Sequence, residues 1–161
     1  MDDKKLGIMA HVYKGQNILC ESRIECARLE SEMLMGHVLK KERSWIYLNR
    51  DYIAPDSLIE EFYKLIKRRC LGEPVQYIIG RQEFMGLDFY VNKDVLIPRC
   101  DTEILAEYAV KYAKHLNRPV NILEIGSGSG AIAVSLAFYL KDAHIVSIDI
   151  SEAALLVARR N

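Results

Sequence analysis

The run Glu124-Ile125-Gly126-Ser127-Gly128-Ser129-Gly130 constrains this chain more than any other segment. Three glycines at alternate positions follow an apolar, β-branched stretch, Val120 to Ile125, that reads as a buried strand. Ala131 to Leu140 then reads as a helix, and His144 to Ile148 as a second strand closed by Asp149. Ser151 is placed to cap a further helix carrying Ala154, Leu155 and Ala158. Strand, glycine turn, helix and strand make one βαβ unit, which belongs in a parallel sheet with helices packed on it. The expected class is therefore α/β, with the first βαβ part of a Rossmann-like domain and no further strand before Asn161.

Glycines between a strand and a helix let the backbone turn tightly and let a ligand approach without Cβ atoms in the way. Asp149 follows Gly130 by roughly 20 positions, where a carboxylate can accept both hydroxyls of a ribose. Two ligands compete for such a loop. A dinucleotide rests its pyrophosphate there and favours G-x-G-x-x-G, whereas the spacing here is G-x-G-x-G. Glu124, two residues before Gly126, would repel a pyrophosphate. S-adenosylmethionine has no phosphate, and its ammonium and sulfonium suit a carboxylate at that place. On this charge logic the loop amides stay free for the methionine carboxylate and the ribose, and S-adenosylmethionine is the expected cofactor. An idle loop is disfavoured, since each glycine costs roughly 0.5–1 kcal/mol against alanine in regular structure.

Upstream, residues 1 to about 80 read as helical. Ile24, Ala27, Leu34 and Val38 line one helical face, with Met33 and Met35 flanking it. A short segment carries Trp45 and Leu48. A third segment starts near Pro55, runs through Leu58, Phe62, Leu65 and Ile66, and has Lys67, Arg68 and Arg69 in its last turn, where cations suit the helix dipole. Gly72 ends it, and Pro74 opens another short helix that Gly80 closes. Residues 82–98 change period: Phe84, Leu87, Phe89, Val91 and Val95-Leu96-Ile97, broken by Gly86 and Asn92-Lys93-Asp94, predict strands with tight turns in a hairpin. Asp101 or Thr102 would then cap a helix carrying Ile104, Leu105, Tyr108, Ala109 and Tyr112, of which Tyr108 and Tyr112 read as packing residues with a polar tip. The Lys40-Lys41-Glu42-Arg43 run reads as a solvated turn. Trp45 and Tyr77 read as packing residues, and His37 and His144 are assigned no chemistry.

Lys+Arg and Asp+Glu are both 22, so no net field draws nucleic acid or an anionic membrane. Cys20, Cys26, Cys70 and Cys100 form no C-x-x-C pair and read as free thiols in a reducing cytosol, with no metal site. No apolar run is long enough to span a bilayer, and Met1-Asp2-Asp3-Lys4-Lys5 does not lead into a secretory segment.

Several segments, in order, resemble the bacterial release factor glutamine methyltransferases of the HemK/PrmC type. They are Arg68-Arg69-Cys70-Leu71-Gly72-Glu73-Pro74-Val75-Gln76-Tyr77-Ile78-Ile79-Gly80, Glu83-Phe84-Met85-Gly86-Leu87, Val95-Leu96-Ile97-Pro98-Arg99-Cys100-Asp101-Thr102-Glu103, the glycine loop with Ala131-Ile132-Ala133, and Asp149 with the helix after it. The resemblance runs from about residue 20 onward. The glycine loop is generic to methyltransferases, and the Gly-Glu-Pro and Ile-Pro-Arg segments are more specific.

The resemblance implies a helical substrate-recognition domain over residues 1–80, a β-hairpin linker over 81–98 and the N-terminal part of a cofactor-binding methyltransferase domain over 99–161. It implies S-adenosylmethionine-dependent methylation of the glutamine side-chain amide in the Gly-Gly-Gln motif of class 1 peptide release factors, in a cytoplasmic, monomeric protein that touches neither membrane nor nucleic acid directly. Gly126, Ser127, Gly128, Ser129 and Gly130 would form the cofactor loop, Asp149 would bind the ribose, and Thr102, with Arg99 nearby, would lie beside the methionine end. Two departures stand out. Cys100 replaces the proline usual after Ile-Pro-Arg, and the family's Asn-Pro-Pro-Tyr motif, which aims the amide nitrogen, occurs nowhere in the 161 residues. The expectation is that no catalytic residue lies within the chain and that it is inactive alone. Methylation of another amide or exocyclic amine, and a helical protein-binding module with a vestigial cofactor fold, are the competing readings.

Overall fold

A computed structural model describes residues 6–161. The chain divides into two compact units, Met1–Ile79 and Gly80–Asn161. The first is all helical: α1 (Ile8–Glu21), α2 (Ala27–Leu39), α3 (Arg43–Leu48), α4 (Asp56–Cys70) and α5 (Val75–Ile79). Its core joins Ile8, Val12 and Leu19 of α1, Leu34 and Met35 of α2, Ile46, Phe62 with Leu65 and Ile66, and Val75 with Ile78. Each such side chain taken fully out of water contributes roughly 1.5–3 kcal/mol before ordering costs. Gly15 lets α1 come close to α2 and α4, since a Cβ there would sit 2.6 Å from the Phe62 ring and 2.7 Å from Ser31 Oγ. The Ser31 hydroxyl donates to the Val12 carbonyl at 2.8 Å, so this polar group is buried with its bond made.

The basic last turn of α4 is where the sequence placed it, and Arg68 closes that end by pairing with Glu73 at 2.7 and 2.5 Å. Several details differ from expectation. Helix α1 lies within the stretch read as helical but was not singled out there. Ile24 lies outside α2, and Met35 belongs to the core rather than its flank. Leu48 is 84% exposed, and its neighbour Ile46 carries the packing of α3. Arg43 is no idle member of a solvated turn, because it reaches the buried carboxylate of Glu32 at 2.6 and 3.0 Å. Glu32 also accepts from Arg28 at 3.1 Å and from the Tyr47 hydroxyl, which ties α2 to α3. Burial pushes the Glu32 carboxyl up, but the bonds from Tyr47, Arg43 and Arg28 outweigh it and hold it below its ordinary value. Trp45 packs against the core edge, its ring edge-on to Tyr52.

The second unit opens with the hairpin of β1 (Arg81–Phe84) and β2 (Leu87–Tyr90), in register Phe84↔Leu87 to Arg81↔Tyr90. Met85 and Gly86 both have positive φ, 54° and 72°, the signature of a two-residue type I′ turn that suits strand twist. The turn is tied down twice: the Met85 N–H donates to Glu103 at 2.6 Å, and the Tyr139 hydroxyl donates to the Met85 carbonyl at 2.7 Å. Val95-Leu96-Ile97 form no strand. Val91 and Val95 are buried from an irregular segment, and Asp94 N–H closes a local turn on Asn92 at 3.0 Å instead of a ladder.

Helix α6 (Cys100–His115) follows, then β3 (Val120–Ile125), α7 (Ala131–Tyr139), β4 (Ala143–Ile148) and α8 (Glu152–Arg160). Strands β3 and β4 pair in parallel from Val120↔Ala143 to Ile125↔Ile148, the expected βαβ unit. Ser151 caps α8 as expected, accepting the Ala154 N–H at 3.2 Å. Arg99, not Asp101 or Thr102, stands at the cap of α6, and no side chain bonds there. Cys100 is thus the first helical residue, the place where a proline costs no hydrogen bond. Cysteine keeps the helix start and loses only the pre-set φ.

The apolar residues of this unit are not all covered. Helix α6 buries Ala106, Val110 and Ala113, so the expected packing of Tyr108 and Tyr112 is reversed: both are exposed, Tyr108 by 69%, as are Ile104 and Leu105. Both strands alternate in burial. Val120, Ile122, Ala143 and Ile145 pack with Leu136 of α7 and Leu140 just after it, while Leu123, Ile125, Val146 and Ile148 face outward. The strand read as buried on both sides is covered on one.

Candidate functional site

The glycine loop runs from the end of β3 to the start of α7, with Asp149 at the end of β4 beside it. Parallel pairing sets both strand ends at one edge of the sheet, where open α/β sheets bind their ligands. Gly126, Gly128 and Gly130 have φ of 89°, 51° and 79°, a left-handed backbone that side-chain-bearing residues rarely adopt. Their surroundings differ. A Cβ on Gly130 would meet Ala158 at 3.1 Å, so this glycine serves helix packing. A Cβ on Gly126 or Gly128 would meet nothing within 4 Å, so these two face open space.

The amides of Gly126, Ser127, Gly128 and Gly130 are not free, contrary to the sequence-based expectation. Gly126 and Ser127 N–H donate to the Ile148 carbonyl at 2.7 and 3.0 Å, and Gly130 N–H donates to Ser127 at 2.7 Å. Gly128 N–H donates to Asp149 Oδ2 at 2.8 Å, while Asp149 Oδ1 accepts the Ser151 N–H at 2.9 Å. The physical reason is the three left-handed glycines, which turn the loop N–H groups back onto the end of β4. Donation from Ser151 and Gly128 holds the Asp149 carboxyl below its ordinary range, so it stays ionised. An ionised carboxylate has about four acceptor positions, and the backbone N–H groups of Gly128, Ser151 and Ile150 occupy some of them.

Glu124 shares the α7-covered face of the sheet with Ile122. Its register partner across the ladder is Ser147, whose hydroxyl donates to it. Burial pushes the Glu124 carboxyl up, the bonds from Ser147 and the Ala133 N–H oppose this, and the negative charge of Asp149 adds to it. Ser147 was not singled out in the sequence. Only the parallel register reveals it, by pairing position 124 with position 147.

Ser127 and Ser129 turn their side chains inward, and Ser127 Oγ is buried without a hydrogen-bond partner. Ser127 lines, with Ser147, Asp149, Leu155 and Ala158, a cleft of ≈ 390 Å³ beneath the loop. Thr102 lies in the first turn of α6, one turn before Ala106, which packs in one cluster with Ala131 at the start of α7. Arg99 precedes Thr102 at the cap of α6. The four cysteines are unpaired, and the described residues contain no group of His, Cys, Asp and Glu suited to a metal. No described helix is long and apolar enough to cross a membrane.

Comparison with known proteins agrees with this architecture. Residues 13–80 match the family described as PrmC N-terminal domain. The chain is 39% identical over 148 residues to a protein of Clostridium acetobutylicum named release factor glutamine methyltransferase, covering 92% of this chain and 52% of the relative. It is 43% identical over 143 residues to the protein of that name from Geobacter sulfurreducens, covering 89% of this chain and 49% of the relative. A bifunctional methyltransferase of Rickettsia felis is 36% identical, with 92% of this chain and 33% of the relative covered. The chain thus spans about half the length of the release factor glutamine methyltransferases it matches. Over that half, with residues 13–80 matching the PrmC N-terminal domain and the glycine loop on a parallel β3–β4 pair, the chain is similar to the release factor glutamine methyltransferases.

Proposed function

We propose that the loop of residues 126–130 and Asp149 bind S-adenosylmethionine. We propose further that the protein acts in transfer of the sulfonium methyl to the glutamine side-chain amide nitrogen in the Gly-Gly-Gln motif of class 1 peptide release factors, in the cytoplasm, leaving S-adenosylhomocysteine. One observation carries the cofactor reading. Asp149 is an ionised acid at the end of β4, bonded to the loop through Gly128, with acceptor capacity beyond the backbone N–H groups it already meets. Ribose hydroxyls fit that capacity. The open space over Gly126 and Gly128 fits a ligand lying on the backbone, and the N-terminus of α7 favours the methionine carboxylate. Glu124 supplies negative charge beneath the loop, which favours an ammonium and a sulfonium over a pyrophosphate. Thr102 and Arg99 border the methionine end.

S-adenosylmethionine supplies an activated methyl for in-line displacement. The residues present bind and orient it. None of them offers the acceptor pair that would aim an amide nitrogen, whose lone pair is delocalised and whose reaction depends on positioning. The helical unit is the surface proposed to meet the release factor.

Calorimetric titration of the chain with S-adenosylhomocysteine tests the cofactor reading. Heat of binding is expected, with Asp149→Ala weakening it by roughly 10–100-fold, the loss of two hydrogen bonds to a charged acceptor. A folded chain that gives no heat favours the helical protein-binding module instead. Assayed alone, the 161 residues are expected to transfer no methyl to a release factor, and turnover would refute that expectation.

A further inference from the structure

The side chain of Asn161 joins two backbones. Its Nδ2 donates to the Tyr90 carbonyl at 3.0 Å and to the Ser129 carbonyl at 2.9 Å, and its Oδ1 accepts the Tyr90 N–H at 2.8 Å. Toward β2, the carboxamide makes the donor–acceptor pair that a neighbouring strand would make. Toward the loop, it holds the one carbonyl that lies between Gly128 and Gly130. Arg160 adds a second link between the end of α8 and β2, its guanidinium 3.5 Å from the Tyr90 ring centroid. The hairpin held in this way is itself anchored at its turn by Glu103 and Tyr139.

We infer that Asn161 is a positioning residue for the glycine loop, and that the hairpin is the support against which it holds that loop. Three left-handed glycines give the loop its shape and also its freedom to lose it, since none carries a side chain and a Cβ at Gly126 or Gly128 would meet nothing within 4 Å. The internal bonds of the loop run to the end of β4. The Asn161 bond to Ser129 pulls on the opposite side, from β2. Both N–H groups of the amide are used, so no other residue type of this size supplies the same set. The effect on a ligand rests on the S-adenosylmethionine reading above; the effect on the loop does not.

The test is backbone hydrogen exchange across residues 126–131, read beside S-adenosylhomocysteine affinity, in the wild type, Asn161→Ala and a control, Leu140→Ala. Leu140 is buried just beyond the far end of α7 and touches none of these bonds. Asn161→Ala is expected to speed loop exchange by roughly tenfold or more and to weaken binding by about tenfold, ~1.4 kcal/mol. Leu140→Ala is expected to lower the melting temperature at least as much and to leave loop exchange and affinity near wild type. Asn161→Gln displaces the same amide by one methylene and carries the same test, with a smaller effect, should the alanine variant not fold. Loop exchange that is unchanged in the Asn161 variants, or equally raised in Leu140→Ala, overturns the inference. A wild type that takes up no S-adenosylhomocysteine refutes the cofactor reading alone, and loop exchange still decides what Asn161 does.

Discussion

The helical unit and the α/β unit place their apolar residues differently. In the described residues of the helical unit, three longer helices and two short ones enclose one core, and its large side chains, Phe62, Leu34 and Met35 among them, are wholly withdrawn from water. In the α/β unit, a two-stranded parallel sheet is covered by α7 on one face and leaves Leu123, Ile125, Val146 and Ile148 exposed on the other. A helical stripe needs only a neighbouring helix to be buried, whereas a strand has two faces and two edges to satisfy. The two units therefore respond differently to the same kind of substitution.

The largest expected contrast is in stability. Phe62→Ala should cost roughly 3–5 kcal/mol by urea unfolding, a large side chain deleted from a closed core. Ile125→Ala, at a residue 78% exposed, should stay within about 0.5 kcal/mol. Equal losses at the two sites would break the comparison.

Next in size is the buried charge of the helical unit. Glu32→Gln should cost roughly 1–3 kcal/mol, less than for a fully buried ion pair because Arg28 and Arg43 are half exposed. Its carboxyl is held below the ordinary 4.5, so the stability it contributes is complete above that value and is lost as pH falls through its folded-state pKa. The gap between variant and wild type in urea midpoint should close on acidification, and a gap that persists in acid would refute the assignment.

A smaller effect is expected on association. The uncovered sheet face should make the chain self-associate at high concentration, and Ile125→Lys with Val146→Lys should reduce this in sedimentation velocity without loss of fold. Unchanged sedimentation would show that the exposed face is not sticky.

The smallest effect concerns Glu124. Burial raises its pKa above the ordinary 4.5, so its charge is lost at a higher pH than for a free carboxylate. S-adenosylmethionine binding is then expected to weaken on acidification beginning above that value, and Glu124→Gln should flatten the dependence. A profile identical in the two proteins would remove Glu124 from the electrostatics of the site.

Much of this was legible in the sequence because it is local. Alternating glycines require a left-handed turn, Ser151 caps the helix that follows it, and a basic last turn marks the end of α4. The βαβ unit was legible too, since strand and helix periods differ and the glycine turn separates them. The residues of the candidate site could be named for the same reason: Gly126 to Gly130 and Asp149 are set by spacing along one chain.

What tertiary structure alone decided is which partner each group meets. The pairing of Glu124 with Ser147 depends on strand register, the clustering of Arg28, Arg43 and Tyr47 on Glu32 depends on how α2 meets α3, and the Asn161 bridge joins residues far apart in the chain. Periodicity could not tell that Ile104, Leu105, Tyr108 and Tyr112 lie exposed while Ala106, Val110 and Ala113 are buried, because both sets follow a helical repeat. Local geometry is written in neighbouring residues, where backbone sterics act. Burial and hydrogen-bond partners depend on contacts between distant segments, and those exist only once the chain has packed.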